Sequence, residues 1–324
     1  MKDGEGTPLG KLPPDLLQSS VLRYSGAERP EVKIGARIGE DAAVIDWPAG
    51  KYLVVSSDPI VGAKTGAGRL LVHVNSNDIF SKGGEPAYLV VTLILPAAQG
   101  HSCASRIMAE IDEACKGAGI AVVGGHTEFT DRYDAPVIVG TVFGTATRVL
   151  SADDVMPGDV LLMTKHAGLE GMTILAQDRP DLLASCLKKQ EIEEVLGWTK
   201  SLSVGTEARH LKQCARFMHD PTEGGLIGGL AEISRLIPWG LEVDLPKVAV
   251  HPFTRRAAYT LGFDPARLIS SGVLLAVMPE QESGPALEIL RREGIPCAAV
   301  GRVVEGKGNC PESFREELWG LLAR

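Results

Sequence analysis

Four aspartates in this chain stand where an apolar segment meets a tight turn or a polar break. They lie in the stretches GEDAAVI, VVSSDPI, VNSNDIF and MHDPTEGG, as Asp41, Asp58, Asp78 and Asp220. Carboxylates at such places are costly to bury without a partner. Clusters of carboxylate oxygens suit Mg²⁺, which proteins usually hold with a few carboxylates and the phosphate oxygens of a ligand. The pattern therefore predicts a site for Mg²⁺ and a phosphate-bearing ligand.

Two glycine-rich stretches, VVGGHTEFT and DPTEGGLIGGL, could bring backbone N–H groups close to phosphates. The second stands at a predicted helix N-terminus, where the helix dipole favours anions. Neither the GxxxxGK[ST] motif nor the GxGxxG motif occurs, so the standard nucleotide-binding folds are not supported.

Each of these residues also has a structural interpretation. Asp58 and Asp220 precede proline, and aspartate before proline commonly starts a turn. Asp78 is harder to explain in this way, because it lies beside two asparagines in the middle of an otherwise apolar helix. A histidine such as His126 is more often a hydrogen-bonded structural residue than a ligand, and Lys165 could be a surface lysine.

The elements that must position these residues alternate between strands and helices. Apolar β-type runs are predicted at 42–47, 52–58, 88–95, 120–130, 136–146, 160–165, 271–279 and 295–304. Helices are predicted at 13–25, 66–83, 102–118, most of 168–215, 217–234 after a short loop, 281–293 and the C-terminus. Helix 66–83 should bury Leu70, Val74 and Ile79, PAGK predicts a hairpin between the first two strands, and the strand from 120 should run into a Gly-Gly turn.

This alternation predicts an α/β or α+β protein with helices packed on sheets. The composition becomes polar and turn-rich at SADDVMPGD, 151–159. We therefore predict two domains, residues 1–150 and 151–324.

Composition excludes several classes of protein. The chain has 324 residues, 44% hydrophobic and 23% charged, and a formal net charge of −8, which argues against nucleic-acid binding. No apolar run reaches the roughly 18 residues of a membrane span, and the N-terminus has no apolar signal-peptide core. The six cysteines form no CxxC pair and are typical of reduced cytosolic thiols, so we expect a cytoplasmic protein that does not bind membranes.

In combination, the stretches IGEDAAVI, SSDP, VNSNDIFSKGGEP, VVGGHTEFT and HDPTEGGL resemble the aminoimidazole ribonucleotide (AIR) synthetase superfamily, in this order and at these spacings. This PurM-like superfamily includes formylglycinamidine ribonucleotide synthetase, selenophosphate synthetase, thiamine-monophosphate kinase and the hydrogenase maturation factor HypE. The resemblance runs from about Leu9 to the last helix. It is strongest to the AIR synthase-related proteins near HypE, through DPTEGGL and SSGVLLAV.

The resemblance implies an N-terminal domain that binds ATP and Mg²⁺ and forms a barrel-like core with a second subunit, hence a homodimer. It also implies a C-terminal α/β domain, with ATP in the cleft between the two. The residues that match metal or nucleotide positions of the family are Asp41, Ser57, Asp58, Asp78 and Asp220 for Mg²⁺, and Lys11, Asp78, Gly124, Gly125, His126, Thr127 and Asp220 for the nucleotide. Relatives carry Asp, Glu or His where His126 stands, and Lys11 matches a mobile segment that covers the nucleotide.

Members of this superfamily use ATP to phosphorylate an oxygen and so make it a leaving group. The resemblance therefore implies an ATP-dependent phosphotransferase, ligase or dehydratase acting on an unidentified small molecule. Lys165 and Glu170, in TKHAGLEG, are the candidate catalytic residues, although Glu170 could equally be a solvated residue at a turn. The alternatives are a kinase similar to thiamine-monophosphate kinase, and a non-catalytic ATP-binding partner in hydrogenase maturation.

One departure from HypE bears on the reaction. HypE ends in a cysteine that carries the thiocarboxamide, whereas this sequence ends in WGLLAR and has its last cysteine, Cys310, before a predicted helix. We therefore expect no self-dehydration of the HypE type. An ATP-dependent loss of water from carbamoylated Cys310, seen by mass spectrometry, would contradict this expectation.

Overall fold

The computed structural model describes residues 10–11, 14–36, 44–60, 63, 65–311 and 315–324. The chain divides into two compact units. The first comprises Met1–Ile79 and Gly84–Thr147, and the second comprises Phe80–Gly83 and Arg148–Arg324. Each unit combines helices with a five-stranded sheet, which confirms the predicted mixed fold class.

The first unit contains seven strands and three α-helices among its described residues. The strands are β1 (Gly10–Lys11), β2 (Val32–Ile34), β3 (Val44–Ile45), β4 (Tyr52–Ile60), β5 (Glu85–Pro96), β6 (Ala121–Thr130) and β7 (Val137–Ala146). The helices are α1 (Pro14–Leu17), which continues into a π-helix at Gln18–Leu22, α2 (Ala67–Ser81) and α3 (Gly100–Ala118). The helix predicted at 13–25 is thus a single α-turn followed by a wider π-turn.

The main sheet of the first unit has the order β1-β6-β5-β7-β4, with β5 and β6 parallel and the other pairs antiparallel. One row across it joins Asp58, Gly140, Val91 and Gly125. A Cβ atom on Gly125 would lie 1.9 Å from the Val91 carbonyl oxygen, so only glycine fits there. Gly124 and Gly125 are part of the continuous strand β6, whose register with β5 shifts between Leu89 and Val90, and the predicted Gly-Gly turn is therefore wrong.

Strand β4 stands at an edge of this sheet and pairs with β7 over nine residues. The predicted hairpin with the preceding run is wrong, because β3 is only two residues long and pairs with β2. Strand β4 pairs with β7 instead, because nine residues of β7 can form more backbone hydrogen bonds with β4 than the two residues of β3 could. Three apolar side chains of β4 remain about half exposed: Tyr52 (56%), Leu53 (54%) and Val55 (49%).

Helix α2 packs on this sheet with the predicted face. Leu70, Val74 and Ile79 are all buried, as the spacing indicated. Gly140 allows the close approach of α2, since a Cβ atom there would lie 3.0 Å from Leu71 and 3.1 Å from the Asn75 amide nitrogen.

The second unit contains five strands and eight α-helices among its described residues. The strands are β8 (Val160–Thr164), β9 (Phe217–His219), β10 (Gly240–Val243), β11 (Leu275–Met278) and β12 (Cys297–Val304). The helices are α4 (Leu169–Asp178), α5 (Pro180–Leu183), α6 (Lys189–Gly197), α7 (Gly205–Leu211), α8 (Gly225–Leu236), α9 (Pro252–Leu261), α10 (Glu280–Arg292) and α11 (Leu318–Leu322). Strands β9 and β10 and helix α9 were not predicted from the sequence.

The sheet of the second unit has the order β10-β12-β8-β11-β9 and is antiparallel throughout. All five residues of β8 are buried, as are all four of β11, because helices cover both faces at the centre of the sheet. Cys310 packs, partly buried, against one of the resulting cores. Among the described residues, no helix combines the length and apolar character needed to cross a bilayer.

Candidate functional site

Two of the predicted acids meet in the first unit. Ser56 donates a hydrogen bond to Asp78 Oδ2 and lies 3.3 Å from Asp58 Oδ2, so one hydroxyl joins both carboxylates. Asn75 fixes the strand to the helix, because its Oδ1 accepts from the Asp58 N–H at 2.9 Å and its amide nitrogen lies 3.3 Å from the Asp58 carbonyl oxygen. Both carboxylates are only partly buried. The fold thus holds two acids side by side within reach of a ligand.

The serine that joins the acids is not the one that the sequence analysis selected. Successive side chains of a strand point to opposite faces, so Ser56 and Asp58 share a face and Ser57 points away. The Ser57 hydroxyl donates to the Gly140 carbonyl at 3.1 Å and lies 2.8 Å from the Thr141 hydroxyl. The spacing of two residues between Ser56 and Asp58 was the signal that could have identified Ser56.

The residues predicted to approach the nucleotide phosphates lie in β6, away from these acids. Gly124 has open space around its Cα atom, and His126 Nε2 lies 3.1 Å from Glu128 Oε2. Thr127 is buried and thus faces the core. Gly125 stands in the same row as Asp58 but three strand spacings away, roughly 14 Å. A ligand that contacted both positions would have to span that distance.

Two predicted site residues are described only in part or not at all. Asp41 lies outside the described residues. Lys11 is placed as part of β1, where its backbone pairs with Glu128. Within the ranges that the structure describes, no three His, Cys, Asp or Glu side chains come together in a group that could hold a metal ion. A metal beside Asp58 and Asp78 would therefore need ligands from elsewhere, such as phosphate oxygens.

The fourth predicted acid, Asp220, belongs to the second unit and directly follows β9. It is 3% exposed, and its Oδ1 accepts a hydrogen bond of 3.2 Å from the Ser81 hydroxyl. The loop after it is held by the Thr222 carbonyl, which accepts from the N–H groups of Gly225 and Ser270. Asp220 is thus a buried acid at the base of a loop that backbone hydrogen bonds hold in place.

The N–H group that precedes helix α8 already has a partner inside the chain. Glu316 Oε2 accepts from Gly224 N at 2.6 Å, and Glu316 Oε1 accepts from Ile269 N at 3.2 Å and Leu318 N at 2.8 Å. Glu316 was not among the predicted site residues, because it is 92 residues from Gly224 and carries no local signal. An anion that used the Gly224 N–H group would have to replace this carboxylate.

The ammonium group of Lys165 contacts four oxygen atoms within the second unit. Its Nζ lies 2.8 Å from the carbonyl oxygens of Ser201 and Ser203, 2.9 Å from that of Gly272, and 2.6 Å from Glu207 Oε1. Its side chain is 12% exposed and that of Glu207 is 2% exposed. Burial lowers the pKa of Lys165, and the carboxylate of Glu207 acts in the opposite direction. The Lys165 ammonium group thus binds three backbone carbonyl oxygens from two segments, 201–203 and Gly272.

Glu170, in the first turn of α4, is also enclosed. It is 3% exposed, and its Oε2 has no hydrogen-bond partner among the described residues. Burial raises its pKa to about 7, Ser271 opposes this effect, and Glu316 and Glu223 add to it through repulsion. Because its side chain is buried, Glu170 is not the solvated turn residue that was the alternative.

The two halves of the chain match two family models. Residues 39–146 match the AIR synthase related protein N-terminal domain, and residues 156–310 match the AIR synthase related protein C-terminal domain. Together the matched residues make up most of the chain, which confirms the predicted resemblance.

Several proteins similar to this chain are hydrogenase maturation proteins. The chain is 28% identical over 304 residues to "Carbamoyl dehydratase HypE" of Rhodobacter capsulatus, covering 91% of this chain and 86% of that protein. It is 27% identical over 284 residues to "Hydrogenase expression/formation protein HupE" of Azotobacter chroococcum mcd 1, covering 82% and 79%. A crystal structure of HypE in complex with ATP is similar at 26% identity and a TM-score of 0.74, covering 90% of this chain and 86% of that one. The chain therefore belongs to the AIR synthase related protein family and has the HypE-like form of its fold.

Proposed function

We propose that this protein is a Mg²⁺-dependent, ATP-using enzyme that activates an oxygen atom of a small substrate by phosphorylation, leading to transfer, ligation or loss of water. The observation that carries the proposal is the pair Asp58 and Asp78, joined by the Ser56 hydroxyl. Similarity to carbamoyl dehydratases and to a HypE bound to ATP supports the nucleotide and the class of reaction.

The chemistry of the pair fits Mg²⁺. This ion prefers oxygen ligands and is usually held by one or two carboxylates, with substrate phosphates and water completing its shell. Asp58 and Asp78 supply two such carboxylates from two elements that Asn75 holds together. When bound, Mg²⁺ would neutralise the negative charge that develops on the phosphates during transfer.

The remaining contributions of the chain are positional. Phosphoryl transfer needs little covalent chemistry from the protein, so catalysis rests on holding the phosphates and the acceptor in line. Ser56 orients both carboxylates, which would act as metal ligands rather than as proton carriers. Asp41 remains a predicted further ligand. The homodimer and a maturation-protein partner also remain predictions, as do the substrate and a cytoplasmic location.

Titration calorimetry with Mg²⁺ and ATP tests the proposal. Asp78→Asn should weaken Mg²⁺-dependent ATP binding by at least about tenfold, because one of two charged ligands is lost. Asp131→Asn, an exposed acid of the same unit, is the matched control and should bind like the wild type. Equal affinities for ATP in the Asp78 variant and the wild type would refute the metal assignment.

A second measurement separates an enzyme from a binding protein. ADP release is followed with a panel of amides, carbamoyl compounds and phosphomonoesters. Stimulation by one class identifies the acceptor, and stimulation by phosphomonoesters would favour the kinase alternative. Tight ATP binding without release under any condition would indicate a non-catalytic partner.

A further inference from the structure

The backbone of Asp58 is capped by a side chain instead of by another strand. Among the described residues β4 is the last strand of its sheet, and an edge strand leaves main-chain groups without a strand partner. Asn75 of α2 binds these groups at Asp58, since its Oδ1 accepts from the Asp58 N–H at 2.9 Å and its Nδ2 lies 3.3 Å from the Asp58 carbonyl oxygen. The same Nδ2 donates to the Leu71 carbonyl at 2.9 Å, and Asn75 is fully buried. These contacts of the Asn75 amide form the Asn75 clamp.

The sheet leaves room for this amide at Gly140, the residue of β7 that pairs with Asp58. A Cβ atom on Gly140 would lie 3.1 Å from the Asn75 Nδ2 and 3.0 Å from the Leu71 Cγ. Contacts this short require a neighbour to move by a few tenths of an ångström. An alanine at this position would therefore press on the clamp while leaving all of its hydrogen-bonding groups in place.

The clamp acts on the same strand residue that Ser56 joins to the second acid. Asn75 and Asp78 are three residues apart on α2, so they lie about one turn from each other on the same side of the helix. The Ser56 hydroxyl, on the same face of β4 as Asp58, contacts both carboxylates. Strand and helix are thus joined at the backbone of Asp58 and again at its side chain. Both contacts together set the separation of the two carboxylates.

We propose that Asn75 is a positioning residue that makes the pair of Asp58 and Asp78 selective for Mg²⁺ over the larger Ca²⁺. The inference rests on the proposed function, in which this pair holds Mg²⁺. Mg²⁺ demands near-ideal octahedral geometry with bonds of about 2.0–2.1 Å, whereas Ca²⁺ accepts bonds of about 2.3–2.6 Å in a flexible shell. Loosening the two elements should therefore lower the affinity for Mg²⁺ more than the affinity for Ca²⁺.

A purely structural Asn75 makes a different prediction. If its amide served only to satisfy the buried backbone at Asp58, removing it would lower stability and change the affinities for both ions by the same factor. Positioning requires that the ratio of the two affinities change. The ratio therefore separates the two roles, whatever happens to stability.

The test titrates Mg²⁺ and Ca²⁺ separately into the full chain by calorimetry, without nucleotide. Asn75→Ala should weaken Mg²⁺ binding about tenfold and Ca²⁺ binding by no more than about threefold. Gly140→Ala retains the amide and displaces it only slightly, so the loss of Mg²⁺ affinity should be about threefold, with Ca²⁺ affinity unchanged. This milder variant decides the question if Asn75→Ala does not fold.

Leu70→Ala is the matched control. It removes buried apolar atoms from the same helix, and Leu70 makes none of the contacts of the clamp. Its thermal stability should fall because a cavity forms, while the ratio of Mg²⁺ to Ca²⁺ affinity should equal that of the wild type.

Hydrogen exchange of the Asp58 amide is a second readout, and it needs no metal. The Asp58 N–H bonds to Asn75, so Asn75→Ala should accelerate its exchange by at least about tenfold. The Ser57 amide points to the opposite side of the strand, toward β7, and is the internal control.

The inference alone is overturned if the wild type binds Mg²⁺ and the folded variants keep its affinity ratio, or if the Asp58 amide exchanges equally fast in Asn75→Ala and the wild type. Absence of Mg²⁺ binding by the wild type, with or without ATP, would refute the proposed function and this inference with it. The two failures are therefore distinguishable.

Discussion

Asp58 and Asp78 in the first unit share one serine hydroxyl and remain partly exposed, whereas Asp220 and Glu170 in the second unit are each 3% exposed. In the first unit, Asp58 stands on an edge strand and Asp78 on a helix, and both side chains are only partly buried. In the second unit, charged groups are enclosed by backbone donors and acceptors. This difference in burial agrees with the proposed ligand role of Asp58 and Asp78, whereas Asp220 and Glu170 are built into the packing of the second unit.

The largest effect should come from breaking the enclosed network at Lys165. Lys165→Met leaves three carbonyl oxygens and the buried Glu207 carboxylate without their cation, which should cost about 3–5 kcal/mol of unfolding free energy. Denaturant unfolding measures this. Lys189→Met, at an 88% exposed lysine, is the control and should cost less than about 0.5 kcal/mol. A small effect at Lys165 would show that its contacts contribute little.

The next effect should appear in the pH dependence of stability. Burial raises the pKa of Glu170 from its usual 4.5 to about 7. A raised carboxyl pKa means that stability is highest below the unfolded value and falls as pH rises through the folded one. Between about pH 4.5 and pH 7 the wild type should therefore lose roughly 3 kcal/mol through this group, and Glu170→Gln should not.

Urea unfolding at pH 5 and pH 8 measures this difference directly. All other titrating groups are shared by the two proteins, so the change in their stability difference isolates Glu170. Glu305→Gln, at an exposed position, provides the control. Parallel stability profiles for the wild type and Glu170→Gln would show that Glu170 is ionised at neutral pH.

The smallest effect is expected from Ser56, the residue that joins Asp58 and Asp78. Ser56→Ala removes the hydroxyl that orients Asp58 and Asp78, which should weaken Mg²⁺–ATP binding about fivefold, the equivalent of one hydrogen bond of about 1 kcal/mol. Ser57→Ala changes the neighbouring residue, whose hydroxyl faces β7, and should leave the affinity unchanged. If calorimetry showed a larger loss of Mg²⁺–ATP affinity for Ser57→Ala than for Ser56→Ala, the face of β4 that carries Ser57 would be the one that binds the ligand.

The predictions from the sequence succeeded where the information was local. The apolar spacing in α2 identified its buried face, and the acid-bearing stretches at Asp58 and Asp78 do come together in space. The PAGK signal failed because strand pairing depends on the whole partner strand: β7 offers β4 nine residues and β3 has only two. Ser57 remains a predicted ligand, and the contact of Ser56 with both acids was not predicted, because alternation shows that two residues differ in face but not which face meets α2.

The contacts that involve Glu316 and Lys165 could not be predicted for a related reason. Each depends on backbone groups, and a backbone N–H or carbonyl leaves no mark in the sequence. Gly224, Ile269 and Gly272 contribute through their main chain alone. Glu316 and Gly224 are also 92 residues apart in the sequence. Helix and strand periodicity relate only residues that are close in sequence, so it could not indicate this contact.

The exposed apolar edge of the first unit has a thermodynamic consequence. Tyr52, Leu53 and Val55 lie on β4, the same strand that carries Ser56 and Asp58. Edge strands with apolar side chains readily pair with another chain. Any association through β4 would be linked to whatever binds at Asp58, so the apparent ligand affinity would vary with protein concentration. Self-association would then change the affinity for the ligand, and binding should be measured at several protein concentrations.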